Sequence, residues 1–226
     1  MRNKAEHGDG YVGGARAGSP FALATFALGI SFGVLARSLG WGVLAPIAFS
    51  VIAFSGSAQF AVAAVLGAGG GPLAAIVAAV LLNARFLPMG IAVAPFLKGG
   101  TLRRALEGQA IVDASWALAS RDGGRFDGEF MIGATVPQLV AWIGGTVIGV
   151  LAGNVVGDVE RLGLDVIFPA FFVALLMEEL RGGKQTLAVA LIAAALSLVL
   201  VPLVPPGVPV IAACAAALLG LREWSS

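Results

Sequence analysis

The chain has 226 residues, of which 58% are hydrophobic and only 12% are charged, and its formal net charge is +1. Soluble domains have about a quarter of their residues charged, so the polar groups here are too few to cover a water-soluble globule. This composition excludes a soluble enzyme, a disordered chain and a nucleic-acid-binding protein, which needs a strongly basic surface. It predicts an all-α polytopic protein that lies in a lipid bilayer.

The chain contains one cysteine, Cys214, and one histidine, His7. A single cysteine forms no disulfide within the chain, and one histidine in a polar segment makes a zinc site or a Ser-His-Asp triad very improbable. We therefore expect no metal and no cofactor. Since few acid–base groups are present, we also expect no enzymatic activity.

The uncharged stretches of the sequence are long enough for membrane spans, which need about 20 mostly apolar residues each. They predict seven or eight transmembrane helices, some broken or short, at about Pro20–Leu39, Gly42–Leu66, Pro72–Phe96, Leu106–Ser120, Phe130–Gly157, Leu164–Met177, Gln185–Val201 and Val210–Leu221. Residues 1–18 are polar and glycine-rich, and we expect a disordered tail there and no cleavable signal peptide. Residues 19–222 are expected to form one transmembrane domain.

The fourth segment, Leu106–Ser120, decides between two topologies. As a helix it reaches about 22 Å, less than the roughly 30 Å hydrocarbon core, and it carries Asp113. If it crosses, eight spans begin from an N-terminus inside the cell. If it does not, seven spans begin from an N-terminus outside, which the positive-inside rule slightly favours.

A weak internal repeat depends on the same segment. Residues 40–49 align with residues 163–172, and the preceding spans both contain Gly-Val-Leu-Ala, at 33–36 and 149–152. The repeat is inverted if the fourth segment does not cross and parallel if it does. Inverted repeats are a recurrent design in transporters.

Polar residues interrupt the second span. Two hydroxyls, a glycine and a carboxamide are costly in lipid unless their hydrogen bonds are satisfied. If the glycine opens the helix, these groups can line a cavity that holds the ammonium or carboxylate of an amino acid. The alternative is hydrogen bonding between helices, but a glutamine is not a small packing residue, which favours the cavity. The predicted substrate-binding residues here are Ser55, Gly56, Ser57, Gln59 and Phe60.

Asn83 and Arg85 lie between two apolar stretches of the third span. An arginine in the membrane costs about 2.5–3.5 kcal/mol on insertion scales, and Asp113 is the natural partner for its charge. A pair that breaks and reforms can gate transport, so we assign Asn83 to substrate binding and Arg85 and Asp113 to coupling or gating. The alternative is that Arg85 extends to the membrane interface.

Glycines recur at four-residue spacing in the first and fifth spans, at Gly29 and Gly33 and at Gly145, Gly149 and Gly153. Such arrays allow close contact with a helix of the same chain or of a neighbouring chain. We favour packing within the chain. A non-transporting accessory or scaffold subunit, whose glycine faces bind a partner, stays as the alternative function.

The motif Ser55-Gly56-Ser57-Ala58-Gln59-Phe60, followed by Asn83-x-Arg85, by Asp113 and by a Gly163-Leu164-Asp165 element leading into residues 168–172, resembles the AzlC family over about residues 18–222. The resemblance implies the large subunit of a two-component exporter of branched-chain amino acids in the cell (plasma or inner) membrane. It also implies proton coupling and a small AzlD-like membrane subunit as partner. Phe86 and Ala114 differ from the histidine and the acidic residue of many relatives.

Overall fold

The computed structural model describes residues 10–121, 125–156 and 184–204, together with positions 173, 176, 177, 180, 209 and 212. A short 3-10 helix covers Ala94–Phe96, and a two-residue antiparallel pair joins β1 (Ser120–Arg121) to β2 (Arg125–Phe126). The helices are α1 (Gly10–Ser38), α2 (Leu44–Ala53), α3 (Gly56–Gly67), α4 (Pro72–Asn83), α5 (Phe86–Val93), α6 (Thr101–Gly108), α7 (Asp113–Ala119), α8 (Gly128–Val156) and α9 (Lys184–Leu200).

The chain divides into two compact units. The first comprises Met1–Gly56 and Asn83–Gly157, and the second comprises Ser57–Leu82 and Asp158–Ser226. Within the described residues, the first unit therefore contains α1, α2, α5 to α8 and the short strands. In the second unit, α3 packs on α4 through a small apolar cluster of Ala61, Val65, Ala75 and Ala78.

The centre of the first unit is the contact between α1 and α8, which is made by glycines on both helices. A β-carbon added at Gly29 would lie 2.6 Å from the Trp142 carbonyl oxygen, and one added at Gly33 or Gly149 would overlap a backbone carbonyl of the other helix. The two backbones therefore touch directly. The glycine arrays pack within the chain, as favoured from the sequence.

The two helices run in the same direction. Near their N-termini Gly14 lies against Phe130, and near their C-termini Gly153 lies against the Arg37 side chain. Both are long and apolar enough to cross a membrane. The helix pair therefore has an N-terminal end, where both helices begin, and a C-terminal end, where both helices finish.

The second predicted span, Gly42–Leu66, is divided into α2 and α3 at Phe54 and Ser55, next to the glycine at which the sequence allowed the helix to open. From the C-terminal end of the pair, α2 runs beside α8: Ser50 and Thr146 share a hydrogen bond of 3.0 Å, and Gly56 contacts the Trp142 ring. Since Trp142 is in the middle of α8, the break lies about halfway along the pair. A serine before a glycine favours such an interruption, because both residues lower helix stability.

The fourth predicted segment, Leu106–Ser120, is wrong as one helix. It consists of α6 and α7, separated by an unwound stretch at residues 109–112. A β-carbon at Gly128 would lie 3.2 Å from the Phe96 carbonyl oxygen, so the chain leaves and returns at the N-terminal end of the helix pair. The segment that carries Asp113 therefore begins and ends at the same end of the helix pair.

These positions differ from both predicted topologies. Both predicted topologies place residues 38 and 96 on the same side of the membrane, whereas residue 38 is at the C-terminal end of the helix pair and residue 96 at its N-terminal end. The α4–α5 pair, bent at Ala84 and Arg85, qualifies either as one broken span or as a re-entrant loop.

The other predicted segments have different outcomes. The first predicted span is confirmed, but its helix, α1, begins earlier, at Gly10. The prediction of a disordered tail is therefore wrong for residues 10–18, where an apolar glycine-rich face packs on α8. The fifth and seventh correspond to α8 and α9. The sixth and eighth lie outside the described residues. In the described part, two helices, or three with the broken pair, are long enough to span, so the count of seven or eight is not confirmed.

Neighbouring glycines of α8 allow a matched test of the contact. A β-carbon at Gly145 overlaps the Phe26 carbonyl, whereas one at Gly144 meets nothing nearer than 4.0 Å. We expect Gly145→Ala to lower the free energy of unfolding by about 1–3 kcal/mol, and Gly144→Ala to leave it equal or slightly higher. Thermal unfolding in detergent measures both, and equal effects would contradict direct backbone contact.

Labelling of single cysteines tests the topology. In a Cys214→Ser background, we expect Val43→Cys, which precedes α2, and Gly100→Cys, which precedes α6, to react from opposite sides of the membrane. A maleimide that cannot cross membranes, applied to intact and to permeabilised cells, makes the measurement. Labelling of both from the same side would exclude the arrangement described above.

Candidate functional site

Two polar contacts join the breaks in the first unit. Ser55, in the break between α2 and α3, donates a hydrogen bond of 2.7 Å from its hydroxyl to Oδ1 of Asn83, the last residue of α4. Ser55 is buried. This bond satisfies a hydroxyl that is otherwise costly to hold among apolar groups.

An ion pair lies next to this contact along the chain. Arg85 Nη2 is 3.0 Å from Asp113 Oδ2, and the side chains are 35% and 57% exposed. The partner predicted for the membrane arginine is therefore the observed one. The Arg85 guanidinium also lies 5.1 Å from the centre of the Phe86 ring, a cation–π contact.

Each residue of the ion pair is at the start of a helix. Arg85 directly precedes α5, and Asp113 is the first residue of α7. The pair places one cationic and one anionic side chain next to each other, so it can bind one group of each charge on a small molecule.

The unwound stretch before Asp113 is bonded to α8 by the Thr135 hydroxyl and to α7 by the Ser115 hydroxyl. The Ala110 carbonyl oxygen accepts hydrogen bonds from Thr135 Oγ1 at 2.7 Å and from Ser115 Oγ at 2.8 Å. Both side chains are buried. Sequence reasoning missed these two positioning residues, and the only available signal was a hydroxyl in each apolar helix.

The remaining predicted site residues are on α3, in the second unit except for Gly56. Ser57, Gln59 and Phe60 are 3%, 0% and 1% exposed. Because the Gln59 carboxamide has no exposed surface, it does not face lipid. Exposure of Gln59 to lipid would have contradicted its assignment to substrate binding. That these residues share a chamber with Asp113 stays a prediction.

A charged cleft of about 780 Å³ lies at the N-terminal end of the helix pair. Its wall includes four cations and three acids: Lys98, Arg103, Arg121, Arg125, Glu107, Asp127 and Glu129. A hydrogen bond and the charge of Glu129 raise the pKa of Lys98 above its ordinary value. By the positive-inside rule these cations predict that this end faces the cytoplasm. Within the described residues, no group of side chains is suited to hold a metal ion.

Apolar spans, helix breaks within them and an ion pair at the breaks together define a helical integral membrane protein with a polar site inside its apolar region. The chain belongs to the AzlC family, because the family model described as AzlC protein matches residues 20–156. No solved structure matches.

Three relatives extend the comparison. The chain is 28% identical to the Branched-chain amino acid transport protein AzlC of Bacillus subtilis, over 73% of this chain and 67% of the relative. It is 30% identical to an uncharacterized membrane protein of Archaeoglobus fulgidus, over 91% and 90%. It is 26% identical to the Inner membrane protein YgaZ of Escherichia coli, over 79% and 76%. The molecule is thus a membrane protein of a transport-associated family.

Removal of one hydroxyl tests whether α8 positions the Asp113 break. We expect Thr135→Val to lower the free energy of unfolding by about 1 kcal/mol, because the Ala110 carbonyl loses a donor from another element. Thr25→Val is the control, since Thr25 donates only to Phe21 of its own helix. Thermal unfolding of the two variants measures the difference. An equal loss of stability in both would mean that the hydrogen bond to Ala110 contributes no more than one within a single helix.

Proposed function

We propose that this protein is a secondary transporter, not an enzyme, that exports branched-chain amino acids across the cell (plasma or inner) membrane. The observation that carries the proposal is the accessible Arg85–Asp113 ion pair at two helix breaks. Ionisable residues inside a membrane are expensive and mark solute or proton pathways. Broken helices around a central site are typical of secondary transporters.

The charges of the pair complement those of a free amino acid. The Arg85 guanidinium can bind the α-carboxylate, and the Asp113 carboxylate can bind the α-ammonium. Ser55 and Asn83, held together at 2.7 Å, would supply neutral hydrogen-bonding groups beside them. The motif residues Gly56, Ser57, Gln59 and Phe60 complete the proposed binding set. A zwitterion can therefore replace the Arg85–Asp113 ion pair by two ion pairs between the protein and the substrate.

The same exchange supplies a route for proton coupling. When the substrate carboxylate engages Arg85, Asp113 loses its partner and binds the substrate ammonium. After the substrate has left on the outer side, Asp113 takes up a proton there, and this proton is released on the inner side as the ion pair reforms. The amino acid and the proton therefore move in opposite directions. Asp113 is thus the proposed coupling carboxylate, and the breaking of its bond to Arg85 is the proposed gating event.

The substrate and the partner are supported by the family. The Bacillus subtilis relative is named as a branched-chain amino acid transport protein. We propose the same substrate class here, and a small AzlD-like membrane subunit as the companion. The alternative, a non-transporting accessory subunit, relied on glycine faces that are free to bind another chain. Those glycines contact one another between α1 and α8, so they do not support it.

Efflux of radiolabelled leucine from loaded cells tests the proposal, with the small subunit co-expressed. We expect Asp113→Asn to reduce export by about tenfold or more, because loss of a charge-assisted hydrogen bond costs at least about 1.4 kcal/mol. Arg85→Gln is expected to do the same.

Lys98→Gln is the control, since it removes an ion pair with Glu129 in which the two side chains are 73% and 41% exposed. Export by this variant is expected to equal that of the wild type. Membrane abundance of each variant is measured by quantitative blotting, so that lost expression is separated from lost transport. Normal export by Asp113→Asn at normal abundance would refute the proposed site.

A further inference from the structure

A second cavity lies in the first unit, between α2, the break before α7, and α8. Its volume is about 500 Å³, within the range of small-molecule sites. Most of the wall is aliphatic or aromatic, including Val51, Ile52, Phe54, Ile132, Val136 and Leu139, and its polar members besides Thr135 are Glu107 and Gln109. Thr135 also lines it, but its hydroxyl is already bonded to the Ala110 carbonyl. The cavity therefore offers an apolar surface to an occupant.

We propose that this cavity receives the aliphatic side chain of the exported amino acid and sets the side-chain specificity; this inference rests on the proposed function. The segments that line the cavity are the segments that carry the polar groups. Phe54 in its wall is followed directly by Ser55, and Ala110 in its wall precedes Asp113 by three residues. Three residues of chain span at most about 10 Å, so a ligand bound at the ion pair is close to the cavity.

The chemistry of the wall matches a branched aliphatic group. Such a side chain gains free energy in proportion to the apolar area that leaves water. The Glu107 carboxylate in the wall is already paired with Arg103. The Thr135 hydroxyl is also bonded, so Gln109 is the remaining polar side chain of the wall. In pockets of this kind one methylene group changes discrimination by about 10- to 200-fold. The apolar wall is thus a physical cause of preference for an aliphatic side chain.

A lipid acyl chain is the competing occupant. Val51, Ile52 and Val136 are 55%, 70% and 50% exposed, so the cavity opens at the surface of the first unit. An acyl chain has the same apolar character but no charged group for the ion pair. Changes in the size of the cavity would then leave the selectivity of amino-acid export unchanged, which separates the two occupants experimentally.

Adjacent turns of α8 provide a matched pair of variants. Val136 lines the cavity, whereas Val140, one turn later and 65% exposed, does not. We expect Val136→Trp to reduce export of leucine relative to alanine by about tenfold or more, because the indole occupies part of the cavity and obstructs the longer side chain. Val140→Trp is expected to leave this ratio unchanged. Competition between labelled leucine and unlabelled alanine in the efflux assay measures the ratio.

A second variant, which enlarges the cavity, keeps the inference testable if the tryptophan variant fails to fold. Leu139→Ala is expected to raise export of phenylalanine relative to leucine by several-fold, in the opposite direction from Val136→Trp. If all three proteins export leucine, and the two variants have the same leucine-to-alanine and phenylalanine-to-leucine export ratios as the wild type, the inference is overturned. A wild-type protein that exports no amino acid would instead overturn the proposed function, and with it this inference.

Discussion

The first unit depends on direct backbone contact between α1 and α8. In a bilayer, apolar side chains gain little by leaving lipid, so helix association depends on close packing and small residues. Glycines on both helices meet carbonyl groups of the other, from Gly14 near one end to Gly149 near the other. This contact makes the two helices parallel. Elements of the same unit are then attached to it: α2 through the bond between Ser50 and Thr146, and the Asp113 break through Thr135.

The attached elements are interrupted, and the interruptions carry the polar groups. An unwound backbone in an apolar region needs partners for its N–H and C=O groups. Here part of that need is met by side-chain hydroxyls, since the Ala110 carbonyl accepts two hydrogen bonds. A break that is fastened in this way can hold a charged residue in position. The proposed transporter therefore combines a tightly packed helix pair with polar breaks beside it, and its substrate would act on the breaks.

The parts of the site that could be predicted are those where residue chemistry conflicts with lipid. The cost of an arginine in an apolar stretch pointed to Asp113 as its partner, and the two side chains are 3.0 Å apart. The hydroxyls and glycine of the second stretch indicated an opened helix, and the chain breaks at Phe54 and Ser55. Thr135 and Ser115 could not be identified in advance, because a hydroxyl in an apolar helix commonly bonds only to its own backbone.

The sequence by itself determined the class of the protein, since a chain with 12% charged residues cannot cover a soluble surface. It also determined the positions of the longest apolar helices and the chemistry of the polar breaks, which depend on local composition. Tertiary structure alone decided the parallel direction of α1 and α8 and the return of the Asp113 segment to the end from which it came. Crossing and returning segments have the same composition, because both lie among apolar neighbours. Only contacts between distant residues distinguish the two paths.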